Sequence, residues 1–381
     1  MREGWTYKKL GEVCEILNGF AFKSGNYTEQ GIRVLRITNV QKGLIVDDDP
    51  KYYPFDEETN LKQYMLKEGD LLMSLTGNVG RVGLLQKNLL PAALNQRVAC
   101  LRIKNSNIQL EYIFHLLNSD CFERDCIFNA TGIAQKNMST EWLKKYNIPI
   151  PSLSEQQSIV AELDKINELI SLKKAQLSDL DSLAQSIFYD MFGDPIENEK
   201  GWEVKKLGEV SVFPSKRVNI ADLTPSQYIG VENLRKDKKG VEFSQTLPNA
   251  DKAIEFITDD ILIGNIRPYL RKIWISNING GASGDVIIVR KNTPSIMPMY
   301  LFKVLSTETF FEYDNANTHG AKMPRGDKKM IELFPIPLPP LSLQQDFAKR
   351  IELIEQQKAQ ISSTIKDLET LLASRMQYWF D

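Results

Sequence analysis

SEQQSIVAELDKINELISLKKAQLSDLDSLAQSIFYDMF (154–192) and SLQQDFAKRIELIEQQKAQISSTIKDLETLLASRMQYWF (342–380) are two copies of one stretch, related without a gap by an offset of 188. In the first copy Ile159, Leu163, Ile166, Ile170, Leu177, Leu180, Ala184, Ile187 and Met191 follow alternating steps of four and three, interrupted only by Lys173. In the second, Phe347, Ile351, Ile354, Ile361, Ile365, Leu368, Leu372 and Trp379 keep the same rhythm, interrupted by Lys358 and Arg375. An apolar period of 3.5 residues sustained in this way is the pattern of a coiled-coil seam. A 39-residue helix is about 58 Å long. Two ordinary amphipathic helices in separate cores would show a similar stripe, but a helix of this length outruns a single small domain. The reading is therefore a coiled coil whose partner, given the second copy, lies within the same chain.

Working outward, each helix is preceded by a Pro-rich hinge, IPIPSLSEQQ (148–157) and PIPLPPLSLQQ (335–345). Proline fixes an extended entry, and Ser154 or Ser342 is placed to cap the first orphan amides. GWTYKKLGEV (4–13) returns as GWEVKKLGEV (201–210), with eight identities in ten. Each half thus reads as opening signature, divergent body, closing signature and long helix. The bodies carry short branched runs, IRVLRI (32–37), DLLMSL (70–75), RVGLLQ (81–86) and RVACLRI (97–103) in the first. QYIGVENL (227–234), DILIGNI (260–266), RKIWIS (271–276) and DVIIVRK (285–291) are their counterparts, and EYIFHLLNS (111–119) and MYLFKVLST (299–307) read as helices. The expected fold class is α+β: a domain at 1–150, a helix and linker at 151–196, a second domain at 197–340 and a helix at 341–381.

The 381 residues are 42% hydrophobic and 25% charged, a globular composition with room for two or three domains. The net charge of −2 hides a segregation. Residues 1–150 carry 19 basic and 17 acidic groups and residues 201–340 carry 19 and 16, whereas residues 151–200 carry 4 and 10. The bodies are mildly basic and the first helix acidic, which permits two anionic contacts without demanding them. No apolar stretch approaches the roughly 20 residues needed to cross a bilayer. The opening MREGWTYKKL lacks a signal-peptide core. Four cysteines without a close pair suit a reducing compartment, so a cytoplasmic protein is expected.

Catalytic signatures are absent from the sequence. There is no phosphate-binding loop, and GNVGRVG (77–83) has no following helix. Cys121, Cys126 and His115 could suggest a metal, but the second half has no cysteine, so no repeated site exists. The two histidines lie in separate repeats, which leaves no legible nucleophilic triad. The pattern is that of a recognition protein or a non-enzymatic tandem scaffold.

Taken together, the GWxxxKLGEV openings, ILNGFAFKSGNY (16–27), TGNVGRVG (76–83) followed by LNQR (94–97), and the two closings before long helices resemble the specificity subunits of type I DNA restriction–modification systems. The resemblance covers essentially the whole chain. It implies two target recognition domains, each reading one half of an interrupted double-stranded DNA sequence, with the two helices packed antiparallel and setting the unread gap. It also implies docking of two adenine methyltransferase subunits, with restriction subunits where a system has them. S-adenosylmethionine, ATP and magnesium would sit on those partners, and no cofactor or metal on this chain, which would be non-catalytic. Groove presentation on duplex DNA repeats about every 34 Å, so a rod near 58 Å is a suitable ruler.

Arg and Lys pair with guanine edges, Asn and Gln with adenine, and hydroxyls with phosphates. On polar loops between strands, the first domain offers Lys23, Ser74, Thr76, Asn78, Arg81, Asn95, Gln96, Arg97, Gln135, Lys136 and Asn137 as DNA-binding candidates. The second offers Asn265, Arg267, Tyr269, Arg271, Lys272, His319, Lys322 and Arg325. Gln156, Gln157, Gln344 and Gln345, at equivalent helix starts, are candidates for binding the two methyltransferase partners. Phe20 and Phe22 read as core.

Overall fold

The computed structural model describes residues 4–54, 61–132, 136–320 and 322–381. The chain packs into two units. One contains the residues up to Lys174 together with Ser363–Asp381, and the other Ala175–Ser362.

Each unit has the same antiparallel sheet at its centre. In the first unit the order is Cys14–Asn18, Val98–Ile103, Leu71–Ser74, Val82–Leu84. In the second it is Ser211–Val212, Val286–Lys291, Ile261–Gly264, Ile273–Ile275. LLMS and ILIG are buried at every position, which explains why these runs are continuously apolar and do not alternate. Asp70 and Asp260 sit at equivalent strand entries, buried, and each takes both arms of an arginine from the neighbouring strand. Arg102 reaches Asp70 at 2.8 and 2.6 Å, and Arg290 reaches Asp260 at 2.8 and 2.7 Å. A second sheet in each unit holds one parallel pair, Ile32–Leu35 with Ala92–Leu94 and Tyr228–Ile229 with Gly280–Ala282. The opening signatures pair with the closings: Thr6–Lys9 with Asn147–Ile150, and Glu203–Lys206 with Pro335–Leu338.

The expected strand at 227–234 shrinks to Tyr228–Ile229. The Gly230 amide donates to Asn233 Oδ1 at 2.8 Å, and the Asn233 amide nitrogen donates to Glu242 O at 3.0 Å, so asparagine closes a turn where the sequence suggested extension. Phe20 and Phe22 pack with Tyr53 and Tyr64, as core. No helix among the described residues is long and apolar enough to cross a membrane.

The long helices are Leu153–Phe192 and Leu341–Phe380, 40 residues each. Within the first unit, Ile159, Leu163, Ile166 and Ile170 are buried, and Leu372, Met376, Trp379 and Phe380 pack on the same core as Ile159 and Leu163. Glu162 accepts from Trp379 Nε1 at 3.0 Å and pairs with Arg375, while Lys174 meets Glu369 at 2.9 Å. Within the second unit, Phe188 and Phe192 stack edge-on against Phe347 at 5.8 and 5.2 Å, and Asp181 meets Lys358 at 2.7 Å. In both units the numbering rises on one helix as it falls on the other, so the segments run antiparallel. The two interruptions in the second helix, Lys358 and Arg375, both make ion pairs across the seam. Near the end of the first helix the buried side chains are Ala184, Phe188 and Phe192, not Ile187 and Met191. Steps of four carry the apolar face one position onward.

The helix entries correct two expectations. The cap of the first helix is Ser152, not Ser154: the Glu155 amide donates to Ser152 Oγ at 3.3 Å and the Ser152 amide to Glu155 Oε2 at 3.0 Å. Gln156 and Gln344, expected at a partner surface, have no exposed area. Gln156 accepts from the Gln109 amide at 2.9 Å and donates to Asn107 O and Pro151 O at 3.3 and 3.0 Å. Gln344 repeats this bond for bond with the Met297 amide at 2.8 Å, Ser295 O at 3.0 Å and Pro339 O at 2.9 Å. These glutamines latch each long helix to its own domain and are closed to any partner, whereas Gln157 and Gln345 face outward.

Replacing Gln344 by Ala strands the buried Pro339 carbonyl and removes the partner of the half-buried Met297 amide and of the Ser295 carbonyl. It should destabilise the second unit by about 2–4 kcal/mol, since each unpaired buried polar group costs roughly 1–3. Denaturant unfolding of the full chain, with Gln345→Ala as the near-neutral control, measures this.

Candidate nucleic-acid interface

The sheets end in loops whose backbones are stitched together. In the first unit Thr76 and Asn137 form an isolated bridge, and Thr76 Oγ1 donates to Asn137 Oδ1 at 2.9 Å. The Gly77 amide donates to Lys136 O, Met138 to Leu75 O, Leu75 to Arg97 O and Gln96 to Phe20 O, all at 2.8–2.9 Å. Four separate sequence segments therefore meet along one edge.

The second unit uses the same register with different residues. Ile266 and Arg325 form the equivalent bridge, and the Gly326 amide donates to Asn265 O at 3.1 Å where Met138 donates to Leu75 O. The Arg267 amide donates to Pro324 O at 2.7 Å and that of Asn265 to Asp285 O at 2.9 Å. Arg267 and Arg271 have φ of +55° and +50°, a left-handed conformation uncommon for residues with a Cβ. They bracket the Pro268–Leu270 turn and leave Tyr269 half-exposed at its tip.

The candidates divide by what their side chains already do. Ser74 and Thr76 are buried, and Ser74 Oγ donates back to Asn78 O, so both shape the edge and do not project from it. Asn95 is half-buried and caps the Arg97 amide at 3.1 Å. Arg81 donates to Gln41 Oε1 at 2.8 Å and is half-buried. Arg271 is held by Asp237 and, at 2.9 Å, by Glu308, which raise its pKa. Lys272 donates to Val231 O at 2.7 Å, and burial lowers its pKa. Both cations are thus already engaged within the fold, Arg271 by two carboxylates and Lys272 by a backbone carbonyl.

Exposed, and without an ion pair among the described residues, are Lys23, Arg97 and Lys136 in the first unit and Arg267 and Lys322 in the second. Asn78, Gln96 and Asn137 are exposed beside the first group. Arg325 is half-exposed and leans on Asp285 at 2.9 Å, and His319 on Asp327 at 3.0 Å, which holds the Asp327 carboxyl below its usual range. Asn265 is half-buried behind the edge. Gln135 lies outside the described residues. The sequence reading missed Phe128, 89% exposed at the end of the helix leading into the 131–137 loop, and Asp314, buried behind the second edge. Only the exposure of an aromatic next to a polar loop could have flagged the first, and nothing local the second. Among the described residues, no group of three His, Cys, Asp or Glu could hold a metal ion. The thiol of Cys14 is pushed up to about 12 by burial, and those of Cys100 and Cys126 rise for the same reason.

Two α+β domains built on the same central sheet, each presenting a polar and partly cationic loop edge, define a tandem recognition protein. The chain belongs to the family of the type I restriction modification DNA specificity domain, matched at residues 2–181 and 199–370. It is 31% identical over 189 residues to the type I restriction enzyme MjaVIII specificity subunit of Methanocaldococcus jannaschii, covering 49% of this chain and 44% of that protein. It is 22% identical to the putative type I restriction enzyme MjaX specificity subunit of the same organism, over 97% of this chain and 93% of that one. The alignment thus spans less than half of the first relative and nearly all of the second. The fold matches a crystal structure of an S subunit from M. genitalium with a TM-score of 0.54 at 16% identity, covering 99% of this chain and 96% of that one. A chain from a structure of type I restriction–modification complex assembly matches with a TM-score of 0.59 at 18% identity, covering 100% and 98%.

Arg267→Ala should weaken specific DNA binding by about 1–3 kcal/mol and relax preference at one position, the range for a base-reading arginine. Arg271→Ala should instead lower the stability of the second unit and leave base preference intact. Competition binding against single-position duplex variants separates the two outcomes.

Proposed function

We propose that this chain is the non-catalytic sequence-reading subunit of a type I restriction–modification assembly. Each domain recognises one half of a bipartite double-stranded DNA target through its loop edge. The observation that carries this is a conserved backbone register with divergent side chains. Thr76–Asn137 and Ile266–Arg325 occupy the same bridge, yet the first edge exposes Gln96, Arg97 and Lys136 and the second Arg267, Tyr269 and Lys322. One frame bearing two different donor–acceptor patterns suits two different half-sequences.

The exposed helix-start residues Gln157 and Gln345 and the outer faces of the long helices are the surfaces offered to two methyltransferase subunits, which carry S-adenosylmethionine. Restriction subunits with ATP and magnesium complete the endonuclease. Helices of 40 residues, about 60 Å each, set the unread gap between the half-sites. A tandem scaffold for a different ligand would share the fold, but the unpaired arginines and lysines among exposed carboxamides favour nucleic acid.

Mapping methylated adenines genome-wide with and without this gene tests the reading: a bipartite motif should vanish. In the assembled methyltransferase, adding seven residues to both helices should lengthen the gap and leave both half-sites unchanged. Altered half-sites would refute the ruler.

A further inference from the structure

The two reading edges differ most behind their surfaces. In the first unit Leu75, Met138 and Cys126 meet in one apolar cluster with Val79 and Phe122. In the second, those three positions are Asn265, Gly326 and Asp314, by the same backbone register. Gly326 has no side chain because Asp314 stands in the space: a Cβ there would lie 2.3 Å from Asp314 Oδ1 and 3.0 Å from Asn265 Oδ1. Asp314 is 1% exposed, and both its oxygens and Asn265 Oδ1 are buried without a hydrogen-bond partner among the described residues. Asp314 Oδ1 and Asn265 Oδ1 thus flank one point, and two acceptors oriented in this way bond each other only through a proton between them.

We propose that Asp314 stands in the fold as the neutral acid, its hydroxyl donated to the Asn265 carboxamide oxygen beside Gly326. This buried bridge positions the Arg325 hairpin on the Arg267 loop for reading of the second half-site. One proton from solvent then satisfies two orphan groups at once. Burial alone raises the Asp314 pKa, to about 7, and no charged group opposes it. The cations around it are engaged elsewhere or outward. On the hairpin, Arg325 pairs with Asp285 and His319 with Asp327. On the loop, Arg271 is held by Asp237 and Glu308, Lys272 by Val231 O, and Arg267 is exposed. On its own helix Glu308 faces Lys238 and Arg271, and Glu312 is exposed. The helix Lys328–Glu332, which takes the Tyr313 hydroxyl on Met330 O, carries Lys328, Lys329 and Glu332 at its surface. Because the folded pKa is raised, stability from this group is full below the ordinary carboxylate value and is lost as pH rises through 7.

The proposal rests on the DNA-reading function, so its test has one arm without DNA. Hydrogen exchange of the 318–326 peptide in the full chain, corrected for intrinsic rates, should show protection falling about tenfold between pH 6 and pH 9. In Asp314→Asn, whose amide donates to the same oxygen at any pH, protection should stay level. Comparing wild type with Asp314→Asn cancels every pH effect common to both. A level wild-type profile overturns the bridge, because it is the signature of a flipped Asn265 amide donating to an ionised Asp314. A wild-type loss matched in Asp314→Asn overturns it too. In the second arm, the complex assembled with its methyltransferase binds duplexes mismatched in one half at a time. Discrimination in the half that Arg267→Ala relaxes should fall with rising pH in wild type and hold in Asp314→Asn. Equal loss in both halves refutes the positioning role. A wild-type complex with no bipartite preference would sink the functional reading itself, while the exchange arm still decides the bridge.

Discussion

The direction in which each long helix leaves its domain depends on a buried carboxamide. A long helix is useful to a recognition domain only if its direction is fixed at the point of departure. A Pro-rich hinge alone fixes φ without fixing the following turn. Gln156 and Gln344 supply the missing constraint. Each sits at 0% exposure, and each joins the hinge carbonyl (Pro151 or Pro339) to the loop that starts a domain helix. Tyr112 and Tyr300 add a second tie, donating to Pro149 O and Pro337 O at 2.9 and 2.8 Å. Buried amides that satisfy donor and acceptor together tolerate little rotation, since any other rotamer leaves several groups unpaired.

The same logic explains how two domains with unlike surfaces keep one fold. The pairs Arg102–Asp70 and Arg290–Asp260 close equivalent strands, and in each the aspartate also caps a turn amide, of Lys67 or Ile257, at 2.8 Å. With the sheet fixed by groups that face inward, the loops at its end are free to vary. The bridges Thr76–Asn137 and Ile266–Arg325 use backbone atoms, so side chains there carry no structural duty unless they turn back. Ser74, Thr76, Arg271 and Lys272 do turn back, and they leave the reading set for that reason.

Periodicity made the long helices and their seam legible, down to the interrupting Lys358 and Arg375, because a heptad seam is a local pattern, whereas the antiparallel direction came only from the family resemblance. The strands were legible where both faces are buried, as in LLMS and ILIG, and failed at 227–234, where Asn233 competes for the backbone. The candidate site was legible only as loops. Whether an arginine faces solvent or an acid distant in sequence is a tertiary fact. Arg267 and Arg271 are four residues apart and equally basic, yet Asp237 and Glu308 claim only one of them. The glutamines misled for a related reason: repetition at equivalent positions signals an equivalent duty, and the duty here is internal.

Divergence behind the edges carries as much meaning as divergence on them. Exchanging Leu75, Met138 and Cys126 for Asn265, Gly326 and Asp314 replaces an apolar contact, indifferent to pH, with a polar one whose satisfaction hangs on a proton. An apolar support tolerates small shifts because dispersion is spread over many atoms. A single buried hydrogen bond is directional and fixes orientation more tightly. The second edge has the greater need of such precision. Its loop carries two residues with a Cβ at positive φ, a strained backbone that persists only where its surroundings hold it in place.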